Sequence, residues 1–174
     1  MKEVMRYGII LSLICVLSAG LLAGMNSLSK ARILSQAQAE EEMSLKEVLP
    51  QGVKFEAIKS GNDIVYYKAY DLDGKFVGVA FKAEAKGYSS IIETMTGMSK
   101  DGQIIAMKIL NQNETAGLGT RVVEPEFTRQ FANRNIQDFS SVQAITGATI
   151  SSRAVIDSVK KKGQEIKNLI KSVP

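Results

Sequence analysis

The sequence contains no histidine and no tryptophan, and its single cysteine is Cys15. These gaps remove whole classes of chemistry. A zinc site, a histidine-based catalytic triad and a cysteine-ligated iron–sulfur cluster each require residues that this chain does not supply. One cysteine cannot make a disulfide within the chain. Redox chemistry, if the protein performs any, therefore has to come from an organic cofactor or from a partner. Charge is lean as well. The 22 basic and 18 acidic residues leave a formal +4, and apart from Lys160-Lys161-Lys162 the cations are dispersed. That distribution does not argue for nucleic acid, which draws on concentrated basic surface.

What is present is one long apolar run followed by an ordinary globular composition. Tyr7 to Met25 form 19 positions without a charge, interrupted only by Ser12 and Ser18. At the helical rise such a run covers roughly 28 Å, close to the bilayer core. Lys2 and Arg6 precede it, which favours a cytoplasmic N-terminus and an exported remainder; Lys30 and Arg32 just beyond it weaken that bias. A cleaved signal peptide is the competing reading. Its apolar region would be shorter, and the small-residue run Ala37-Gln38-Ala39 falls about a dozen residues too late for it. Length favours an uncleaved anchor. Gly20 and Gly24 are spaced for close helix approach, a spacing that chance produces equally well in a short apolar run.

The expected organisation is a cytoplasmic N-terminus over residues 1–6, a transmembrane helix over 7–25, a helical stalk over 26–49 and an extracytoplasmic domain over 50–174. Residues 30–49, rich in Ala, Glu, Gln and Leu, read as a helix stopped by Pro50. From there the pattern changes. Val53 to Ile58 alternates apolar and polar, and Ile64 to Tyr70 is a second strand. Asp73-Gly74 turns the chain into a strand from Lys75 to Ala85, and Asp101-Gly102 joins strands over Ser90–Met98 and Gln103–Leu110. A short helix is expected over 126–133, after Pro125. Val155, Ile156, Val159, Ile166, Leu169 and Ile170 make the apolar stripe of a final amphipathic helix. Strands in sequence followed by helices give an α+β domain with a mainly antiparallel sheet and flanking helices.

Three glycine-containing runs could carry chemistry. Lys86-Gly87-Tyr88-Ser89-Ser90 lies between strands, where Gly and Ser commonly serve as turn formers. Glu114-Thr115-Ala116-Gly117-Leu118-Gly119 allows close backbone approach to a ligand, or forms a flexible turn. It is no dinucleotide fingerprint, because the third glycine and the βαβ setting are absent. Thr146-Gly147-Ala148-Thr149-Ile150-Ser151-Ser152 opens the last helix. Hydroxyls there serve as caps, and the same free N–H groups make an anion site.

Taken together, these runs resemble the FMN-binding G subunits of Rnf electron-transport complexes, and more distantly the C subunits of sodium-pumping NADH:quinone reductases. The resemblance extends over the whole chain. It implies that the final hydroxyl of Thr146-Gly147-Ala148-Thr149 carries flavin mononucleotide (FMN) through a phosphoester, so that Thr149 is the covalent site, installed by a flavin transferase that takes FMN from FAD. It also implies that Thr146, Gly147, Ala148, Glu114, Thr115, Leu118, Gly119, Gly87 and Tyr88 bind the cofactor, with no catalytic residue and no metal site. The sequence departs from the family pattern at Gln143, six positions before Thr149, where an acidic residue is expected. It departs again at Ala116, often Pro in the family, and at Ser90, where a Gly is expected.

The function implied is that of an electron-relay subunit in a bacterial or archaeal cell membrane, within a complex coupling ferredoxin oxidation and NAD+ reduction to Na+ or H+ translocation. The subunit would hold no complete active site of its own. The implied partners are the A, B, C, D and E type subunits of that complex, the flavin transferase and membrane lipid. Two alternatives stand beside it: a membrane-tethered interaction module without redox chemistry, and a free-standing FMN carrier outside any pump.

Overall fold

A computed structural model describes residues 2–61 and 63–172. The chain divides into two compact units, residues 1–41 and 42–174. Helix α1, Lys2–Val48, begins in the first unit and ends in the second. Its stretch Glu3–Lys30 reaches a mean hydropathy of 2.3, and none of its described side chains is buried. Apolar residues occupy all its faces rather than one stripe. Among the described residues it is the one helix long and apolar enough to cross a membrane.

The second unit is built on a five-stranded antiparallel meander in the order β1-β2-β3-β4-β5. Its strands are β1 (Lys54–Ser60), β2 (Asp63–Tyr70), β3 (Phe76–Lys86), β4 (Ile91–Ser99) and β5 (Ile104–Asn111). The strands expected from the sequence fall within a residue or two of these: the first by its alternation, which directs successive side chains to opposite faces, and those on either side of Asp73-Gly74 and Asp101-Gly102 by their turns. Short turns set the pairing between neighbours. In the β2–β3 turn, Gly74 takes φ +75° while Asp71 Oδ1 accepts from the N–H groups of Asp73 at 3.0 Å and Lys75 at 2.8 Å.

Both faces of the sheet are covered. On one, Leu45, Val48 and Leu49 from the end of α1 pack against Tyr67, Ala69, Ala80 and Met95. A Cβ at Gly97 would collide with the Val48 carbonyl, so glycine is what lets the helix end sit directly on β4. On the other face lies the main core, where Val155, Val159 and Ile166 of α3 (Thr149–Ser172) meet Val79, Phe81, Ile92 and Met98. Gly163 of α3 is held against Ile136 and Phe81 in the same way.

The segment from β5 to α3 is irregular but anchored. A 3₁₀ turn spans Gly119–Val123, α2 spans Pro125–Thr128, and a second 3₁₀ turn spans Arg129–Phe131. The single helix expected over 126–133 is thus two short turns, ended by extended Ala132 and by Asn133 at φ +62°. Phe127, Phe131 and Phe139 stack edge to face, with centroids 5.4 Å apart in both pairs, and drive this segment into the core. The core thereby places the start of α3 next to the loops that follow β3 and β5.

Candidate functional site

The site is organised around a buried carboxylate. Glu114 follows β5 and is 7% exposed. Its Oε1 accepts from the N–H groups of Ser89 at 3.0 Å and Ser90 at 2.8 Å, and from Ser90 Oγ at 3.2 Å. Its Oε2 accepts from Tyr88 N–H at 3.1 Å and from Ser151 Oγ at 2.6 Å. Burial alone pushes the Glu114 carboxyl up. The Ser151 hydroxyl and the N–H groups of Ser90, Ser89 and Tyr88 outweigh it and hold the group below the ordinary value of 4.5. Hydrogen bonds rather than a neighbouring cation therefore keep it ionised.

The two glycines flanking this carboxylate are explained by it. A Cβ on Gly87 would lie 2.6 Å from Glu114 Oε1, and one on Gly119 would lie 2.8 Å from Oε2 and 2.9 Å from Ser151 Oγ. Around them the loop after β5 is tied to itself. Gln112 Oε1 accepts from Glu114 N–H at 2.7 Å, and Thr120 Oγ1 accepts from Gly117 N–H at 3.0 Å, with Gly117 at φ +73°. The Ser89 and Thr115 hydroxyls meet at 3.3 Å and join this loop to the one after β3.

Helix α3 opens without a side-chain cap at the preceding position, because that residue is Ala148. Ser152 instead bridges the entry: its hydroxyl donates to Ala148 O at 2.8 Å and accepts from Ile145 N–H at 3.1 Å. Ser152 N–H donates to Ala148 O at 3.0 Å, so the N–H groups of Thr149, Ile150 and Ser151 precede the first intrahelical bond. Gly147, at φ +83°, turns the chain into this start. Thr149 is exposed, while Ser151 and Ser152 are buried.

These elements enclose a cavity of about 460 Å³ lined by Tyr88, Glu114, Thr115, Leu118, Gly119, Gly147, Ala148, Thr149, Ile150 and Ser151. Eight of these are residues expected from the sequence. Thr146 and Gly87 do not line it. Thr146 borders a separate cleft of about 200 Å³ that includes Arg121, Gln130 and Gln143, and Gly87 packs against Glu114 and Ile92. Ile150 and Ser151 line the cavity without having been singled out. The signal for Ile150 was an apolar residue off the buried stripe of its helix. For Ser151 it was one more hydroxyl in a run where any could serve as a cap. Gln143 is exposed and exchanges hydrogen bonds with Gln130, N–H to Oε1 at 2.8 Å and O to Nε2 at 3.4 Å.

Chemically the cavity joins three features. Tyr88, Leu118 and Ile150 are large apolar side chains left 68%, 49% and 57% exposed at its walls, which suits a flat, largely apolar ring system. The open first turn of α3 suits an anion such as a phosphate. Between them stands the exposed Thr149 hydroxyl; Thr115, also exposed on the cavity wall, is engaged with the Ser89 hydroxyl at 3.3 Å. Among the described residues, no cluster of acidic or thiol side chains could hold a metal ion.

The chain is similar to several known proteins. Residues 87–162, which contain every wall of the cavity, match the FMN-binding domain family, and residues 1–48 match the RnfG N-terminal region. The G subunit of the ion-translocating oxidoreductase complex of Methanosarcina acetivorans is 34% identical over 173 residues, covering 91% of this chain and 92% of that one. The G subunit of the Na+-translocating ferredoxin:NAD+ oxidoreductase complex of Acetobacterium woodii is 31% identical over 196 residues, covering 98% and 95%. The crystal structure of Shewanella oneidensis NqrC shares the fold at a TM-score of 0.54 and 19% identity, over 72% of this chain and 74% of that one. With identity above 30% along nearly its whole length, this chain belongs to the G-subunit family of Rnf ion-translocating oxidoreductase complexes.

Proposed function

We propose that Thr149 is the covalent attachment point of FMN, and that the chain relays electrons within an ion-translocating membrane complex. One observation carries the reading. The exposed Thr149 hydroxyl stands at the uncapped start of α3, on the rim of a cavity with apolar walls. Attachment would join the Thr149 oxygen to the phosphorus nearest the flavin in FAD and break the anhydride bond. AMP would leave, and the hydroxyl proton would pass to a base of the flavin transferase. Thr149 Oγ1 replaces one anhydride oxygen, so the exchange needs no further reactant.

The surrounding residues fit such a group. Gly147 and Ala148 leave room beside the hydroxyl for an outside enzyme. The first-turn N–H groups of Thr149, Ile150 and Ser151, with the helix dipole, favour the phosphate. Tyr88, Leu118 and Ile150 offer apolar surface to the ring and exclude water from its covered side. The bound flavin supplies the one-electron chemistry that no side chain of this protein provides; the protein sets its position and polarity.

The relatives' names support a place in a complex that couples ferredoxin oxidation and NAD+ reduction to Na+ or H+ transport, alongside the other Rnf subunits. The apolar part of α1 supports a single-pass anchor, and Lys2 and Arg6 support a cytoplasmic N-terminus with residues 50–174 outside. The test is expression of the full chain with and without a flavin transferase, followed by flavin fluorescence on a denaturing gel. Fluorescence is expected only with the transferase, retained in Thr149→Ser and absent in Thr149→Ala. Equal labelling of Thr149→Ala would overturn the assignment.

A further inference from the structure

We propose that Glu114 is the positioning residue of this site, clamping the Tyr88 loop and the first turn of α3 around the cavity without itself contacting the flavin. The inference rests on the reading of Thr149 as the attachment point.

Its first support is saturation. An ionised carboxylate only accepts hydrogen bonds and offers about four lone-pair positions. Five donors already converge on Glu114: three on Oε1 and two on Oε2. It has no proton to offer a ring nitrogen and no acceptor capacity left for a ribityl hydroxyl. The charge lines the cavity but is used entirely within the protein.

The second support is what those donors belong to. Glu114 reaches 24 to 26 residues back to the loop after β3 and 37 residues forward to Ser151. No described hydrogen bond joins the Tyr88 loop to α3 directly, so Glu114 is their hydrogen-bonded link. Gly87 and Gly119 are both closed against this carboxylate, and a side chain at either would displace it.

The third support is angular. Residues two apart on a helix lie about 200° from each other around its axis. Holding Ser151 inward on Glu114 therefore turns Thr149 outward. The observed burial has that sense, with Ser151 2% exposed and Thr149 exposed. Releasing Ser151 frees the helix start to fray and Thr149 to wander from the cavity rim.

The experiment uses the full chain in detergent, with FAD and a flavin transferase. It compares the wild type with Glu114→Gln, Ser151→Ala, Thr149→Ala and the core variant Val79→Ala. Glu114→Gln puts an NH2 against at least two donors in either amide orientation. Ser151→Ala cuts only the tie to α3. Two readouts are taken: the initial rate of covalent flavin attachment, and the fluorescence anisotropy of the attached flavin in the folded protein. Glu114→Gln and Ser151→Ala are expected to slow attachment at least five-fold and to lower the anisotropy. Val79→Ala loses stability on β3 and keeps both wild-type values.

Wild-type rate and anisotropy in Ser151→Ala overturn the clamp, as do losses in Val79→Ala that scale with stability alone. If Glu114→Gln shows no cooperative unfolding transition, Ser151→Ala decides. Labelling of Thr149→Ala removes the attachment reading and the clamp together. Labelling of the wild type but not Thr149→Ala, with unaltered clamp variants, removes only the clamp.

Discussion

The Ser151 hydroxyl donates to Glu114 Oε2 across 2.6 Å, joining two buried residues 37 positions apart. Short charge-assisted bonds of this kind are among the stronger ones in proteins. Here one such bond fixes the start of a 24-residue helix to the loop that follows the last strand.

Ser151→Ala removes the shortest of the five hydrogen bonds to a buried carboxylate. Loss of a hydrogen bond to a charged group costs about 1.5–3 kcal/mol. Urea unfolding of the detergent-solubilised chain, followed by tyrosine fluorescence, should show a lower midpoint with an unchanged slope. A midpoint within error of the wild type would mean that water replaces the hydroxyl freely.

Acid should weaken the domain through Glu114. Its folded pKa lies below the ordinary 4.5, so the unfolded chain binds the proton more readily. The stability it contributes is fully present above that ordinary value and is lost as pH falls through the folded pKa. Asp138 is lowered in the same direction, first by the Ser140 hydroxyl at 2.6 Å and then by the Ser140 N–H, so the wild-type curve contains both groups. The difference between wild type and Glu114→Gln isolates Glu114. That difference should shrink as the pH is taken below 4.5 and stay constant above neutrality.

Gly119→Ala introduces a methyl 2.7 Å from Glu114 Cβ and 2.8 Å from Oε2, both inside a packed loop. Overpacking of this sort costs about 1–3 kcal/mol. Flavin attachment should fall with it, because the displaced carboxylate no longer holds Ser151. Normal attachment in a stably folded Gly119→Ala would show that the loop adjusts without moving α3.

Thr96→Val should stabilise the protein. Thr96 is fully buried on β4, between Phe81 and Met107 in the sheet register, and its Oγ1 has no hydrogen-bond partner. Removing an unsatisfied buried hydroxyl while keeping the branched shape should gain about 1 kcal/mol. A rise in thermal midpoint checks this; a fall would reveal a buried water held by that hydroxyl.

Much of the architecture was legible because its causes are local. Alternation over Val53–Ile58 marked the first strand, and Asp73-Gly74 and Asp101-Gly102 marked the turns that join β2 to β3 and β4 to β5. The stripe from Val155 to Ile170 marked α3. The segment 126–133 is not one helix because the chain leaves it at extended Ala132 and left-handed Asn133, whose N–H donates to Ile104 O on β5 at 2.8 Å, a pairing that the local pattern does not show. At the site, hydroxyls at a helix start were readable in the run Thr146–Ser152, and the family resemblance alone singled out Thr149 among them.

The sequence by itself determined where the apolar helix runs, which segments form strands, and that the chain has no imidazole and a single thiol, Cys15, inside the apolar run. Tertiary structure decided which hydroxyls face in and which face out, and gave Glu114 its role. In the sequence Glu114 is one carboxylate in a glycine loop, equally suited to a ligand or to solvent. Its five donors come from residues 88–90 and 151, brought together only when the sheet register and the phenylalanine-packed segment set the loops against α3. The glycines at 87 and 119 have the same origin, since the atom that forbids a Cβ at each belongs to a residue not adjacent in the chain. Local periodicity carries no information about such distant pairings, whose geometry exists only once the core has closed.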